Sequence, residues 1–225
     1  MGSALASIAA IAVLGYVVNV AYPLRDIIRH KPETGTHRVA EWTQLKTTGV
    51  LLGRENALVT IAEFSDFECP ACAHVHTQLQ ELQRRFGDTV SISFHHYPLE
   101  ALHPFARAAA MAAECARVQG RFHSMYDLLF TEQDSIGVRT WSSFAADAGV
   151  LDVPSFQHCL SEAGPSDRID ADHALGDRLG VTATPTLIVE GLTLLPGAPE
   201  QDTLVAMIHR IIALKATAQA VNSER

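Results

Sequence analysis

Cysteine is scarce in this chain, with four residues among 225. A disulfide-stapled miniprotein is therefore excluded, because a chain of this length can bury a core without cross-links. Glycine and proline, at 14 and 10 residues, show no repeat period, which excludes collagen-like and low-complexity sequence. With 48% hydrophobic residues, the composition indicates one globular domain with an appendage.

Basic residues are also few, since 17 Lys and Arg are outnumbered by 25 Asp and Glu. The formal net charge is −8 with neutral histidines. A chain of this sign repels phosphate backbones and has no basic footprint for nucleic acid. We therefore expect no nucleic-acid partner.

Charge of either sign is absent from residues 1–24, which include the apolar run 4–21. About 20 such residues cross a bilayer core as a helix, so this segment is a signal peptide or a membrane anchor. A cleaved signal has basic residues before the apolar run and small residues at the cut, and neither is present here. We therefore favour an anchor over residues 1–24, followed by a juxtamembrane linker over residues 25–48.

Hydrophobic periodicity predicts a strand, a helix and a second strand in the next part of the chain. Residues 59–64 are rich in strand formers, and Val90, Ile92 and Phe94 alternate with polar residues. Between these two segments, Val75, Leu79, Leu82 and Phe86 recur at helical spacing. This order is typical of a right-handed βαβ crossover, which predicts a sheet that is at least partly parallel.

A helical insertion is predicted over residues 103–180. Glycines 120, 149 and 180 each follow a periodic run, where a left-handed helix cap favours glycine. Residues 186–189 and 192–195 then flank Glu190-Gly191 as a hairpin, and an amphipathic pattern from Leu204 to Ile211 predicts a closing helix. The predicted order is β-α-β, helices, β-β-α.

The motif Cys69-Pro70-Ala71-Cys72 lies at the predicted junction of strand and helix. A Cys-x-x-Cys pair in a βαβ unit is typical of thioredoxin-type redox sites. We expect Cys69 to be an exposed nucleophile with a lowered pKa, because unpaired N–H groups and the helix dipole stabilise its thiolate. We expect Cys72, one turn further, to be the buried resolving partner. Pro70 suits the first helical turn, where an N–H is not needed.

Two further residues are candidates for the same site. Glu63 shares a strand face with Val59 and Ile61, and a buried carboxyl with a raised pKa could take the Cys72 proton. Two other interpretations explain an acidic residue at this position equally well: Glu63 is a core residue whose hydrogen bonds are satisfied, or it lies at the edge of the sheet. Pro185, after Thr184, opens a predicted strand, where its peptide bond is either cis or an ordinary trans bond.

Three segments resemble the DsbA-like thiol-disulfide oxidoreductases, which have a thioredoxin fold. They are GVLLGRENALVTIAEFSDFECPAC, HPFARAAAMAAECARVQGRFHSMYDLLF and GVTATPTLIVEG. The resemblance covers roughly residues 49–215 and implies a thioredoxin-like α/β domain over 49–218, followed by a tail over 219–225. It also implies that Cys69 attacks, that Cys72 resolves, and that Glu63 is the buried acid. Pro185 would be a cis-proline whose loop, with Thr184, holds a client peptide by its backbone.

The chain departs from the family beside the cysteines. The best-known oxidases of the family have histidine at the position of Ala71, so the resemblance does not set the redox potential here. Asp66 and Glu68 add negative charge next to Cys69 and are expected, as exposed groups screened by salt, to offset part of the helix effect.

The resemblance leads to a function hypothesis. The chain is expected to be a protein thiol-disulfide oxidoreductase that exchanges the Cys69–Cys72 disulfide with client proteins that carry cysteine pairs, acting as a disulfide-forming oxidase. A membrane redox protein would reoxidise the pair, and no cofactor is expected. The near alternative is a disulfide reductase or isomerase, since the same groups can carry out disulfide exchange in either direction.

Cys115 and Cys159 lie in two predicted helices of the insertion. A structural disulfide between them fits an oxidising compartment, and two separate buried thiols is the alternative. A function of another class would use Cys69, Cys72 and His76, on one helix face, to bind copper or zinc. His74 points away from that face. A third hypothesis is a redox-silent scaffold that binds peptides.

The location follows from two conflicting signals. Four basic residues, Arg25, Arg29, Lys31 and Arg38, follow the apolar segment, and the positive-inside rule alone places the domain in the cytoplasm. Disulfide chemistry indicates an oxidising compartment, and we give it more weight. We therefore expect an extracytoplasmic domain, in the periplasm or at the cell surface, anchored by the N-terminal helix or secreted if that helix is cleaved.

Overall fold

The computed structural model describes residues 39–162, 165–193 and 197–223. The predicted anchor or signal peptide over 1–24 lies outside these residues. So do residues 25–38 of the predicted linker, residues 194 and 195 of the second hairpin strand, and the last two residues of the tail.

Eight helices and five strands are found in the described part of the chain. The helices are α1 (Trp42–Thr48), α2 (Pro70–Phe86), α3 (Ala106–Val118), α4 (Phe122–Thr131), α5 (Trp141–Asp147), α6 (Val153–Ser161), α7 (Ser166–Arg178) and α8 (Gln201–Ser223). The strands are β1 (Val50–Leu52), β2 (Val59–Ser65), β3 (Val90–His96), β4 (Thr186–Val189) and β5 (Leu192–Thr193). The predicted α/β order, with helices α3 to α7 inserted between β3 and β4, is confirmed.

The five strands form one mixed sheet in the order β1-β3-β2-β4-β5. Only β2 and β3 are parallel, as the βαβ pattern predicts, and the other neighbouring strands are antiparallel. Both central strands are buried along their whole length. Strand β2 therefore lies in the middle of the molecule, with β3 on one side and β4 on the other.

The side chains of β2 alternate between two cores. Val59 and Ile61 pack with the buried side of α2 and with the inserted helices α3 to α6. Ala62 and Phe64 point to the opposite face and pack with Leu45 and with Leu175 of α7. This period-two alternation places residues 59, 61, 63 and 65 under α2, the helix that begins at the cysteine motif.

Part of the predicted linker belongs to the folded domain. Residues 42–48 form α1, and Leu45 on this helix is fully buried. The Leu45 carbonyl accepts a hydrogen bond from the Ser93 hydroxyl of β3, at 2.7 Å. The folded domain thus begins upstream of residue 49, because α1 covers one face of the sheet.

Helix α8 closes the domain. Leu204, Ile208 and Ile211, one turn apart on one side, are buried in the core with α2 and β2. Among the described helices, only Gln201–Val221 is long and apolar enough to cross a membrane by length and composition. Only 22% of this apolar stretch is buried in the domain, and Leu214 and Val221 are exposed.

Candidate active site

Cys69 lies where the chain leaves β2 and enters α2. It is the N-cap residue, with extended backbone angles (φ −76°, ψ 118°), and Pro70 occupies the first helical turn, as expected. The Cys69 carbonyl accepts hydrogen bonds from the N–H groups of Cys72 at 3.0 Å and Ala73 at 3.2 Å. The sulfur of Cys69 therefore lies at the positive end of the α2 helix dipole.

The pKa of the Cys69 thiol is lowered from 9.0 to about 5. The largest cause is a hydrogen bond from the Cys72 side chain, and burial acts in the opposite direction. The Thr184 side chain and the backbone N–H groups of Cys72 and Ala71 lower the pKa further. A lowered pKa favours the thiolate of Cys69, the reactive form of cysteine, at neutral pH.

Cys69 is less exposed than the motif predicts. Its relative exposure is only 7%, and its sulfur lies 3.4 Å from the carbonyl oxygen of Thr184. The expectation of an exposed nucleophile is wrong because the loop before β4 covers this side of the motif.

Cys72 is fully buried, one turn into α2, and is a free thiol like Cys69. Its pKa is raised far above the ordinary value, first by burial and then by the hydrogen bond and negative charge of Cys69. The two thiols thus have opposite properties, with a stable anion at Cys69 and a stable protonated form at Cys72.

Glu63 is fully buried on β2, under α2. Burial raises the pKa of its carboxyl from 4.5 to about 7, against the lowering effect of Ser65 and Tyr126. The Tyr126 hydroxyl of α4 donates a hydrogen bond to Oε2 at 3.1 Å, whereas Oε1 has no hydrogen-bond partner. A carboxyl with this pKa gains and loses a proton near neutral pH.

The peptide bond between Thr184 and Pro185 is cis. Strand β4 begins at the next residue, and its antiparallel register pairs Thr186 with Phe64, near the carboxyl end of β2. Because Cys69 follows that end of β2, the sheet brings Thr184 to the cysteine motif across 115 positions of sequence.

The acidic residues beside Cys69 are not free, exposed charges. Asp66 is buried, and its carboxylate accepts hydrogen bonds from the backbone N–H groups of Glu68 and Leu99 and pairs with His103, each at 2.8 Å. The Glu68 carboxylate accepts the N–H of Phe105. The expectation of two screened surface charges is therefore wrong for Asp66, because its carboxylate holds the loop after β3 in place.

The structure does not support the metal-binding alternative. Within residues 39–162, 165–193 and 197–223, no three His, Cys, Asp or Glu side chains are grouped as ligands for a metal ion. His76 is buried on α2, where its ring stacks on Phe130 and packs edge-on against Tyr126. Burial lowers its pKa, so His76 is a neutral core residue. His74 is exposed.

Three residues near the motif were not predicted from the sequence. Tyr126 binds Glu63, Ser65 lies beside Glu63 on β2, and Gln133 donates hydrogen bonds to the carbonyls of Phe67 at 2.7 Å and Cys69 at 3.0 Å. Tyr126 is the hydroxyl-bearing residue on the buried side of α4, which is the pattern that could have singled it out. Gln133 begins a three-residue 3₁₀ helix, Gln133–Ser135, which is too short to show a periodic pattern.

Cys115 of α3 and Cys159 of α6 are joined by a disulfide, with their Cα atoms 5.8 Å apart. Beside it, the buried carboxylate of Glu114 pairs with Arg117 and His96. The four cysteines thus form one dithiol and one disulfide.

The sheet, the helix cap and the dithiol define a protein with a thioredoxin fold and a Cys-x-x-Cys site. The chain matches the sequence model of a family described as thioredoxin over residues 45–210, and it belongs to that family. The resemblance to the DsbA-like proteins is confirmed at the level of the thioredoxin fold.

Curated relatives resemble only part of this chain. An antiporter named Na⁺/H⁺ antiporter NhaA 1, of Mycolicibacterium gilvum, is 38% identical over 141 residues, which is 62% of this chain and 23% of the antiporter. The NhaA antiporter of Herminiimonas arsenicoxydans is 35% identical over 157 residues, 70% of this chain and 24% of that protein. The chain thus spans about a quarter of the length of these relatives.

Solved structures agree with the fold. A thioredoxin-like oxidoreductase from Silicibacter pomeroyi is 25% identical, with a TM-score of 0.63 over 76% of this chain and 96% of that one. Oxidised BdbD from Bacillus subtilis is 19% identical, with a TM-score of 0.67, over 79% of this chain and 97% of that one. Alpha-DsbA1 from Wolbachia pipientis is 21% identical, with a TM-score of 0.62, over 76% of this chain and 93% of that one.

Proposed function

We propose that this chain is a protein thiol-disulfide oxidoreductase that passes the Cys69–Cys72 disulfide to cysteine pairs of client proteins. The observation that carries the proposal is the contrast between the two thiols. Cys69 has a pKa of about 5 at the start of a helix, and Cys72 is buried and protonated one turn away. A stable thiolate next to a buried thiol is what disulfide exchange requires.

The exchange proceeds through a mixed disulfide. A client thiolate attacks Cys69 of the oxidised pair, the Cys69–Cys72 bond breaks, and the electron pair goes to the Cys72 sulfur, which takes up a proton. A second client thiolate then attacks the client sulfur of the mixed disulfide, and Cys69 leaves as a thiolate. The client gains a disulfide and the enzyme pair is reduced by two electrons.

The low pKa of Cys69 favours the oxidase direction. An environment that stabilises the Cys69 thiolate stabilises the reduced pair relative to the disulfide. The disulfide is then readily given up to a client. The same argument makes Cys69 a good leaving group in the second step.

The loop at Thr184 and Pro185 is the proposed client-binding segment. The Thr184 carbonyl lies next to the Cys69 sulfur, and Pro185 leads directly into β4. An extended client peptide that pairs with this loop through its backbone would bring a cysteine sulfur to Cys69 without selecting for its neighbours.

The location of the domain is also part of the proposal. The disulfide between Cys115 and Cys159 supports an oxidising compartment. We place a domain of about residues 49–218, together with α1, outside the cytoplasm, held by an N-terminal anchor over 1–24 or released if that segment is cleaved. A membrane protein is the proposed partner that reoxidises the pair.

Trapping of the mixed disulfide tests this function. In Cys72→Ser the Cys69 thiolate can still form a mixed disulfide by attacking a client disulfide, but no Cys72 thiol remains to displace the client, so covalent complexes between Cys69 and extracytoplasmic client proteins should accumulate and be released by dithiothreitol. The double variant Cys69→Ser/Cys72→Ser is the matched control and should trap nothing. Equal trapping by both variants, or no complexes with Cys72→Ser, would contradict the proposal.

A further inference from the structure

The turn that leads into the cysteine motif is held by a side chain of the helical insertion. In this turn, residues 66–69, the N–H of Cys69 donates to the carbonyl of Asp66 at 3.1 Å. Gln133 reaches the turn from the 3₁₀ helix Gln133–Ser135, which follows α4. Its amide therefore joins the insertion to the backbone of the motif across 64 positions of sequence.

Both hydrogens of the Gln133 amide nitrogen are used in this contact. Nε2 donates to the carbonyl oxygen of Phe67 at 2.7 Å and to that of Cys69 at 3.0 Å. A primary amide has two N–H donors, so the nitrogen is fully engaged by these two acceptors. The two carbonyls lie on either side of Glu68, and one rigid amide therefore fixes the orientation of both peptide groups.

The Cys69 carbonyl is also where α2 begins. The same oxygen accepts the N–H groups of Cys72 and Ala73, at 3.0 and 3.2 Å, which are the first hydrogen bonds of the helix. Cys69 itself has the extended backbone angles of an N-cap residue. A rotation of its peptide group would therefore move the sulfur relative to the positive end of the helix.

The side chains between the two cysteines give the sulfur of Cys69 no support. Pro70 and Ala71 carry no hydrogen-bond donor on their side chains. The thiolate of Cys69 therefore depends on where the backbone places its sulfur at the start of α2. A group that fixes this backbone acts on the thiolate without touching it.

We propose that Gln133 is a positioning residue whose two hydrogen bonds hold the Cys69 backbone so that the sulfur stays at the positive end of α2. This inference rests on the proposed function and names a residue that sets how readily the disulfide is given up. Without the amide, the Cys69 thiolate is stabilised less, and so is the reduced pair relative to the disulfide. Gln133 acts through the backbone of Cys69, and it is therefore not a catalytic residue.

Replacement of Gln133 by methionine tests this role. Gln133→Met keeps the length of the side chain, changes no charge and removes both donors. The reduced full chain is alkylated with iodoacetamide at a series of pH values, and modification of Cys69 is followed by mass spectrometry. The pKa of Cys69 in this profile should be higher by about one unit in the variant, which matches the loss of one or two hydrogen bonds. Alkylation should be about tenfold slower than in the wild type at about pH 4 and equally fast at about pH 8.

The same variant should be a weaker oxidant. In mixtures of reduced and oxidised glutathione, two glutathione thiols reduce the Cys69–Cys72 disulfide and become one glutathione disulfide. A Cys69 thiolate that is stabilised less favours the oxidised protein, so the equilibrium constant for this reduction should fall about tenfold at neutral pH. Mass analysis after alkylation measures the fraction of the pair that is oxidised.

Gln119 provides the matched control. It also belongs to the insertion and makes two hydrogen bonds with backbone atoms, since its amide donates to the carbonyl of Asp152 at 2.9 Å and accepts the N–H of Asp152 at 3.0 Å. Gln119→Met removes both contacts away from the motif and should leave the pKa of Cys69 unchanged. If Gln133→Met does not fold, Gln133→Ala removes the same donors with a smaller side chain and is tested in the same way.

Three results overturn the positioning role. They are an unchanged pKa of Cys69 in a folded Gln133 variant, an equal rise of this pKa in Gln119→Met, and an alkylation rate lowered by one factor at every pH. The last pattern shows altered access to the sulfur and not a less stable thiolate. None of these results affects the proposed function, which fails instead if the oxidised wild type transfers no disulfide to a client, whatever the pKa of Cys69.

Discussion

Cys69 and Cys72 show how strongly the position of a cysteine in the fold controls the pKa of its thiol. Both are cysteines of one motif, three residues apart, yet the pKa of Cys69 is lowered and that of Cys72 is raised. Cys69 caps the helix and meets hydrogen-bond donors, whereas Cys72 lies one turn deeper in the core. These opposite shifts support the proposal that Cys69 attacks and Cys72 resolves.

Replacing Cys72 should change the acidity of Cys69. Its side-chain hydrogen bond is the largest cause of the low pKa, so Cys72→Ala should raise the pKa of Cys69 from about 5 towards its ordinary value. Cys72→Ser keeps a donor and should leave the pKa low. Thiolate absorbance against pH measures both variants, and equal pKa values would contradict this cause.

Glu63 should make stability depend on pH. Its pKa is raised from 4.5 to about 7, so the folded state favours the protonated carboxyl, and the stability that this gives is lost progressively as pH rises from about 4.5 to about 7. Glu63→Gln, which stays neutral, should therefore be more stable than the wild type above pH 7, by up to about 3 kcal/mol, and the difference should vanish below the unfolded-state pKa.

Urea unfolding of the reduced proteins below pH 4.5 and above pH 7 measures this difference. Glu55→Gln is the control, because Glu55 is exposed and should show no such dependence. A Glu63→Gln variant that is less stable than the wild type above pH 7 would show that the buried carboxylate is compensated by other groups.

The sequence predicted part of the site. The spacing of the motif, its place after a strand and the alternation along residues 59–63 are local features, and they predicted the Cys69 position and the burial of Glu63. The contacts of Tyr126 and Thr184 with the site were not predictable from the residues alone, because they join segments 63 and 115 positions apart. Hydrophobic periodicity predicts which face of a helix or strand is buried, but it does not predict which distant residue that face contacts.

At the scale of elements, β2 organises the site. Its residues point alternately to two cores, its parallel neighbour β3 is reached through α2, and its antiparallel neighbour β4 delivers the loop at Thr184. All of these contacts meet at the carboxyl end of β2. This is why the motif, the acid and the loop lie together although no two of them come from the same element.

The elements themselves were largely predictable. Helices and strands between Val59 and Arg178 follow from hydrophobic period and glycine caps, and the structure confirms their order. Helix α1 was not predicted as part of the domain, since its seven residues contain few apolar side chains and its burial depends on β3. Short elements whose stability comes from distant partners have weak local patterns.

The disulfide between α3 and α6 should stabilise the helical insertion. It joins residues 44 positions apart, and closing a loop of that length is worth about 4 kcal/mol in the chain-entropy description. Cys115→Ala/Cys159→Ala should therefore unfold at lower urea concentration than the wild type and keep its exchange activity. Loss of exchange in a folded variant would show that this pair takes part in the reaction.

At the scale of the whole molecule, the chain combines a fold shared by many redox proteins with one reactive pair. Family membership over residues 45–210 establishes the fold, and the site geometry carries the functional proposal. Because the chain spans about a quarter of its antiporter relatives, the activity of those longer proteins is not transferred to it.

Transfer of a disulfide to a client tests the central claim most directly. The oxidised full chain is mixed in equal amount with an unfolded, reduced protein that has one cysteine pair, and both are analysed by mass after alkylation. We predict one disulfide in the client and two alkylated thiols, at Cys69 and Cys72, in the enzyme. A client that stays reduced while the Cys69–Cys72 disulfide persists would contradict the account.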